Sequence, residues 1–256
     1  MKIKFIGSGS GKTSLKRFHS SLLFSTNNYN LLVDAGDGIS KALLSQKISY
    51  NQINGILISH LHPDHFAGLS GLIIQMKLQE RGKKLEIFVH KSLIEYVRDF
   101  LYHTYILSTK LNFELNFVEY EENKEIIVEK KLSFIAKQNS HLDKYKKFDD
   151  KKLLNFSCSS FLFIYENKKI FYTGDIGSES DLFLFDDYKI DLIIAEISHV
   201  RLEELISANK ILKSDIIYLT HISDEDEESL SSFINSLAEY KKGKFVIAYD
   251  GLSFEI

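Results

Sequence analysis

One cysteine, one proline and no tryptophan occur among 256 residues. A single thiol, Cys158, cannot close an intrachain disulfide, and its setting in FSCSSFLF reads as a buried strand. A disulfide-stapled scaffold is excluded, and a reducing, cytoplasmic setting is expected. The single proline, Pro63, leaves no proline-rich linker, so glycine, with 13 residues, supplies the punctuation. No apolar run approaches the ~18 residues that a membrane span needs. Met1 to Ser10 reads as too short and too polar for a signal peptide. Nor does one charge dominate: 32 basic and 35 acidic side chains give a net charge of −3. Proteins that meet nucleic acid over a whole surface carry a basic excess. A broad nucleic-acid footprint is therefore not expected, although a local basic patch is compatible with the balance.

What is present is ordinary for a globular chain: 44% hydrophobic and 26% charged residues. At this length roughly 70% of the unfolded surface can be buried without staples. No period of 20–50 residues repeats, which argues against a solenoid. Strand patterns fall at 2–6, 20–25, 31–34, 55–59, 85–90, 112–120, 159–166, 169–175, 191–196, 215–221 and 244–250. A further strand with one tight turn is read over 125–137. Helical spacing covers 38–47, 66–81, 92–107, 201–212 and 226–242. Strands and helices alternate in both halves, so two mixed sheets with helices outside are predicted within one continuous domain, 1–256. The charged stretch LDKYKKFDDKKLL (142–154) reads as an exposed loop.

Near the start, GSGSGKTS (7–14) imitates a phosphate-binding loop. The P-loop pattern needs its first glycine at position 6, which is Ile6, and no helix follows. The better reading is a small-residue loop whose cations, Lys12 and Arg17, border a site for an anionic substrate. The decisive segment is Ser59-His60-Leu61-His62-Pro63-Asp64-His65. His60 and His62 point to one side of an extended backbone. Pro63 stiffens the turn that aims Asp64 and His65 at a second point nearby. Neutral imidazoles beside a carboxylate suit zinc or a similar transition metal.

His60-x-His62-x-Asp64-His65 resembles the signature of the metallo-β-lactamase fold superfamily. The remaining superfamily motifs follow in order. Leu32-Val33-Asp34-Ala35-Gly36-Asp37-Gly38 resembles the early Asp-x-Gly strand end. Ser140-His141 resembles the single histidine of the first metal site, and Tyr172-Thr173-Gly174-Asp175 the Thr-Gly-Asp segment. Leu219-Thr220-His221-Ile222-Ser223 resembles the final histidine. The resemblance implies a four-layer αββα sandwich of two mixed sheets and two divalent cations, with zinc first and manganese or iron as alternatives. It assigns His60, His62 and His141 to one ion, and Asp64, His65 and His221 to the other. Asp175 would bridge them. Asp34 and Glu196 would orient ligands from behind.

Within the superfamily the chain is most similar to the ribonuclease Z branch, with three departures. The 34-residue interval from His141 to Asp175 contains no proline and only Gly174, so the branch's tRNA-clasping arm is missing. Ala195-Glu196-Ile197-Ser198 stands where the branch has His-Glu-Ala-Thr, leaving His199 to replace the phosphate-contacting histidine. Asp224-Glu225-Asp226 stands where Arg-Tyr is usual and would repel a phosphate backbone. The expectation is a phosphodiesterase or nuclease acting on a small-molecule or nucleotide phosphodiester, with tRNA as a substrate in doubt. A lactonase or thioesterase on the same fold, and a non-catalytic metal- or nucleotide-binding protein, are the competing readings. Two cations ~3.5–4 Å apart would lower the pKa of a shared water toward ~7, giving a metal-bridging hydroxide as nucleophile. Asp64 would accept a proton and His199 would donate one. Lys12, Arg17, Lys144, Lys146 and Lys147 are candidate substrate contacts. His19 is a candidate for the cleft border, while His90 and His103 read as structural. Membrane contact is not expected, and homodimers are common in the branch.

Overall fold

Runs of β-branched, leucine and aromatic residues bounded by glycine or polar clusters form fourteen strands among the described residues, which are 1–237 and 244–256 of the computed structural model. They divide between two compact units, Met1–Glu121 with Asp250–Ile256, and Glu122–Tyr249.

The first unit holds β1 (Lys2–Gly7), β2 (Ser21–Ser25), β3 (Asn30–Val33), β4 (Gly55–Leu57), β5 (Leu85–His90), β6 (Leu115–Tyr120) and β14 (Ser253–Glu255), numbered in chain order. Their order across the sheet is β14-β1-β2-β3-β4-β5-β6. Strands from β14 to β3 pair antiparallel, and those from β3 to β6 pair parallel. Helices α1 (Ile39–Ser45), α3 (Leu69–Leu78) and α4 (Ile94–His103) bury Leu43, Leu72, Met76 and Val97 against Ile6, Leu32, Ile56 and Ile87 of the strands. Each such apolar side chain contributes roughly 1.5–3 kcal/mol. Alternate strand residues, Phe5, Phe24, Val33, Leu57 and Phe88, are buried too, so both sheet faces are covered.

The second unit holds β7 (Glu125–Glu129), β8 (Leu132–Gln138), β9 (Ser159–Tyr165), β10 (Lys168–Tyr172), β11 (Leu192–Glu196), β12 (Ile216–Thr220) and β13 (Phe245–Ile247). The order is β13-β12-β11-β10-β9-β8-β7. Here β10 to β13 are parallel, and β7 to β10 antiparallel. Helices α5 (Leu202–Leu212) and α6 (Asp226–Ser236) pack Leu205, Leu212, Leu230 and Ile234 with Ile193, Ile217 and Leu219. In both sheets the parallel strands end on the candidate residues: β3 at Asp34, β4 before His60, β10 before Asp175, β11 at Glu196 and β12 before His221. The carboxyl ends of parallel strands are where open α/β sheets place ligands.

Two mixed seven-stranded sheets with helices match the sequence expectation. The differences are local. The helix expected over 66–81 is two, α2 (Pro63–Phe66) and α3, separated at Gly68. The β9–β10 turn sits at Glu166–Asn167, one residue earlier than expected, with Glu166 at φ +52°. The terminal β14 was not anticipated, because three residues carry no periodicity. The helix expected over 226–242 is observed to Ser236, and residues 238–242 lie outside the described residues. Among the described residues no helix is long and apolar enough to cross a membrane.

At the break between α2 and α3 the Gly68 amide leaves the helix ladder to donate to the Ala35 carbonyl at 2.9 Å, an approach that glycine permits. A Cβ on Gly68 would lie 2.1 Å from the Gly36 carbonyl oxygen, whereas one on Gly71, inside α3, would meet nothing within 4 Å. Gly68→Ala should therefore destabilise by about 2 kcal/mol or more, since backbone must move. Gly71→Ala should stabilise by about 0.5–1 kcal/mol through helix propensity. Urea midpoints of the two variants check this pair of opposite signs.

Candidate metal centre

In the first unit, Asp34 follows β3 in the left-handed region at φ +62° and is fully buried. One carboxylate oxygen accepts the Ser59 amide at 2.8 Å. The other accepts the Ser59 hydroxyl at 2.8 Å and faces Nδ1 of His65 at 2.8 Å. Ser59 Oγ, having donated its proton to Asp34, accepts from Nδ1 of His60 at 3.0 Å. Both imidazoles thus carry their proton on Nδ1 and present Nε2, the arrangement of a metal-ligating histidine.

The rings gather accordingly. His60 lies 4.7 Å from His62 and 4.3 Å from His65 between centroids. Asp64 Oδ2 is 3.3 Å from His65 Nε2. His62 is extended at ψ 146° before Pro63, which opens α2 at its first position. Gly36 lets the turn after β3 touch α2: a Cβ there would stand 1.8 Å from the Asp64 carbonyl oxygen. The Ala35 amide donates to the His65 carbonyl at 2.7 Å.

The second unit builds a comparable set. His141 Nε2 and His221 Nε2 lie 3.7 and 3.4 Å from the same oxygen, Oδ2 of Asp175. Ser198 Oγ donates to the His221 carbonyl at 2.6 Å and so accepts from His221 Nδ1 at 3.0 Å, which again presents Nε2. His221 takes φ +59° and Gly174 φ +57°, sharp turns directly after β12 and β10. Asn139 ties the turns together, donating to the Asp175 carbonyl and accepting from the His141 amide. Asp181 accepts from the Ser140 amide and hydroxyl and from the amides of Gly177 and Ser178. A Cβ on Gly177 would approach the Ser140 carbonyl oxygen to 2.4 Å.

Glu196 accepts the amides of Ser198 and His199 at 2.6 and 3.0 Å and faces His199 Nδ1 at 3.2 Å. The half-buried His199 ring lies 4.7 Å from His141 and 6.0 Å from His221. Glu196, His199 and His221 offer ligand atoms all within 4.8 Å of one another. The described residues thus include His/Asp clusters able to hold a metal ion, and the donor set of imidazole nitrogens and carboxylates fits zinc or a related cation.

Other expectations fall differently. Arg17 is buried and donates to Ser8 Oγ at 2.6 Å, bracing its own loop from within. Ser8 and the Phe18 amide both donate to Asp250. Burial raises the Asp250 carboxyl above its ordinary value, while these donors and Arg17 pull the other way. Lys12 is exposed on the same loop. Lys146 pairs with Asp143, and Lys144 and Lys147 lie over the neighbouring Tyr145 and Phe148 rings, all within their own segment. His90 caps the turn before α4, and His103 ends that helix. Ser59, Ser198, Asn139 and Asp181 are absent from the sequence expectation. A serine adjacent to a candidate histidine was the available signal for the first two.

Short-form human tRNase Z superposes with a TM-score of 0.74 at 20% identity, over 100% of this chain and 99% of its own. The metallo-β-lactamase fold protein YhfI from Bacillus subtilis superposes at 0.76 with 18% identity, over 99% and 98%. The chain has the metallo-β-lactamase fold. Residues 1–240 match the family described as "Anti-Pycsar protein Apyc1", and the chain belongs to that family. A protein of that name from Bacillus phage BSP38 is 36% identical over 94 residues, 37% of each chain. "Ribonuclease Z" of Sulfolobus acidocaldarius is 33% identical over 127 residues, 50% of this chain and 42% of its own. The matched segment thus spans less than half of either relative.

Removing the acceptor behind His65 and Ser59 tests the orienting network. Asp34→Asn keeps the volume but replaces one acceptor oxygen with a donor. It should weaken metal binding about 10–100-fold, measured by competition with a chromogenic chelator.

Proposed function

We propose that the chain is a dinuclear metal-dependent phosphodiesterase, working as one hydrolase domain. In this reading His60, His62 and His141 hold one ion, Asp64, His65 and His221 hold the other, and Asp175 is shared. The observation that carries it is the uniform presentation of Nε2. His60, His65 and His221 each commit Nδ1 to a protein oxygen, and His141 and His221 aim Nε2 at one Asp175 oxygen. Zinc is the ion that this donor set suits best. Bound divalent cations would supply an acidified water and neutralise charge growing on a phosphoryl oxygen.

The chain's own residues supply the rest. Asp64, partly exposed beside His65, accepts a proton from the attacking water. His199, with Nδ1 held by Glu196, gives a proton from its other ring nitrogen to the leaving oxygen. Ala195 is buried within β11, so His199 is the histidine that this strand end offers a substrate.

A small nucleotide diester is the favoured substrate class. The interval before Asp175 holds a short 3-10 turn and the β9–β10 hairpin rather than a projecting arm. The segment after His221 is acidic and opens α6. The relatives named ribonuclease Z keep tRNA as the alternative substrate.

The test is a panel of bis-p-nitrophenyl phosphate, a 3′,5′-cyclic mononucleotide, an unprocessed tRNA, an acyl-homoserine lactone and a thioester. Diesters should be hydrolysed best, EDTA should abolish turnover, and zinc or manganese should restore it. Higher kcat/KM on a carbonyl substrate would overturn the phosphodiesterase reading. His199→Ala should lower kcat about 10²–10⁴-fold on the nucleotide. It should have far less effect on the p-nitrophenyl ester, whose leaving group needs no proton.

A further inference from the structure

We propose that Gly11 sets the orientation of the Asp64 carboxylate, with the GSGSGKTS loop seated on that side chain and His19 latching the loop in place. The inference rests on the reading of Asp64 as a metal ligand. It gives a role to the one motif of the chain that the proposed chemistry leaves unused.

The loop joins β1 to β2 and is knit at its base. The Gly9 amide donates to the Phe18 carbonyl at 2.8 Å, and Phe18 in turn donates to Asp250 at 2.7 Å. Arg17 holds Ser8, and Ser8 holds Asp250. Higher in the loop, His19 Nδ1 lies 2.8 Å from the Ser10 carbonyl oxygen. A carbonyl only accepts, so Nδ1 carries the proton and donates it. This bond fixes the residue directly before Gly11.

At Gly11 the loop meets the carboxylate. A Cβ there would stand 2.9 Å from Asp64 Oδ2, 3.3 Å from Cγ and 3.6 Å from Oδ1. Something would have to yield, and the main chain of Asp64 is the stiffer party. It lies in α2, and its carbonyl oxygen is in contact with Gly36, where a Cβ would come within 1.8 Å. The carboxylate would therefore turn. The oxygen displaced is Oδ2, the one 3.3 Å from His65 Nε2. Any side chain at position 11 would then pull Asp64 away from His65 while leaving the His60–His62 pair where it is.

The experiment titrates apo-protein with zinc against a chromogenic chelator and records the d–d spectrum of the cobalt-loaded protein. The set is wild type, Gly11→Ala, His19→Ala, His19→Asn and the control Gly71→Ala. Wild type and Gly71→Ala should bind two ions. Gly11→Ala should bind one of them about 10–100-fold more weakly and leave the other unchanged, with an altered cobalt spectrum and an unaltered apo-protein melting point. His19→Ala should show the same selective loss, and His19→Asn, which restores a donor, should recover it. This pair decides the matter where Gly11→Ala does not fold. Two unchanged affinities in Gly11→Ala, or equal weakening of both ions, would overturn the inference alone. A wild type that binds no ion would overturn the metal reading and this inference with it.

Discussion

The chemistry depends on where a handful of imidazole protons are parked. A histidine buried beside a carboxylate can present either ring nitrogen, and its partner decides which one. Here Asp34 and Ser59 settle His65 and His60, and Ser198 settles His221. Each arrangement is a short relay in which a carboxylate, or a hydroxyl whose own proton is already donated, accepts a hydrogen bond from Nδ1. Without these anchors the same histidines would be polar residues in an apolar interior, a costly arrangement. With them, the rings become preorganised donors that need no rearrangement to bind a cation.

The fold serves this requirement by close backbone approach. Gly36 beneath Asp64, Gly68 against Gly36, and Gly177 against Ser140 bring turns and helix ends nearer than any side chain would permit. In each unit the residues that orient ligands follow parallel strands, where the chain must turn abruptly. The turns use left-handed conformations at Asp34, Gly174 and His221. The local strain, of order 1–3 kcal/mol at each non-glycine position, is offset by the burial on both faces of the first unit's sheet and by the α5 and α6 packing in the second.

Much of this was legible in the sequence because its signals are short-range. Hydrophobic runs located most of the strands, and the spacing of His60, His62, Asp64 and His65 marked the turn where these side chains gather. The ordered motifs pointed to His141, Asp175 and His221, far apart along the chain and close together in the second unit. What was not legible depended on distances between segments. Nothing local distinguishes Asp181 from an ordinary polar residue, since the turn it braces at Ser140 lies far back along the chain. Arg17 looked like a substrate contact because sequence gives charge but not direction, and its guanidinium turns inward to Ser8. The break at Gly68 was hidden because helical periodicity continues across it, while the partner of the Gly68 amide, the Ala35 carbonyl, is remote in sequence.

The proposal on which the account stands is that seven histidine and aspartate side chains hold a pair of ions. Anomalous diffraction from crystals grown with zinc tests it directly. The account predicts two peaks, one coordinated by His60, His62 and His141, the other by Asp64, His65 and His221, with Asp175 between them. A single peak, or no peak at these side chains in zinc-saturated protein, would contradict it.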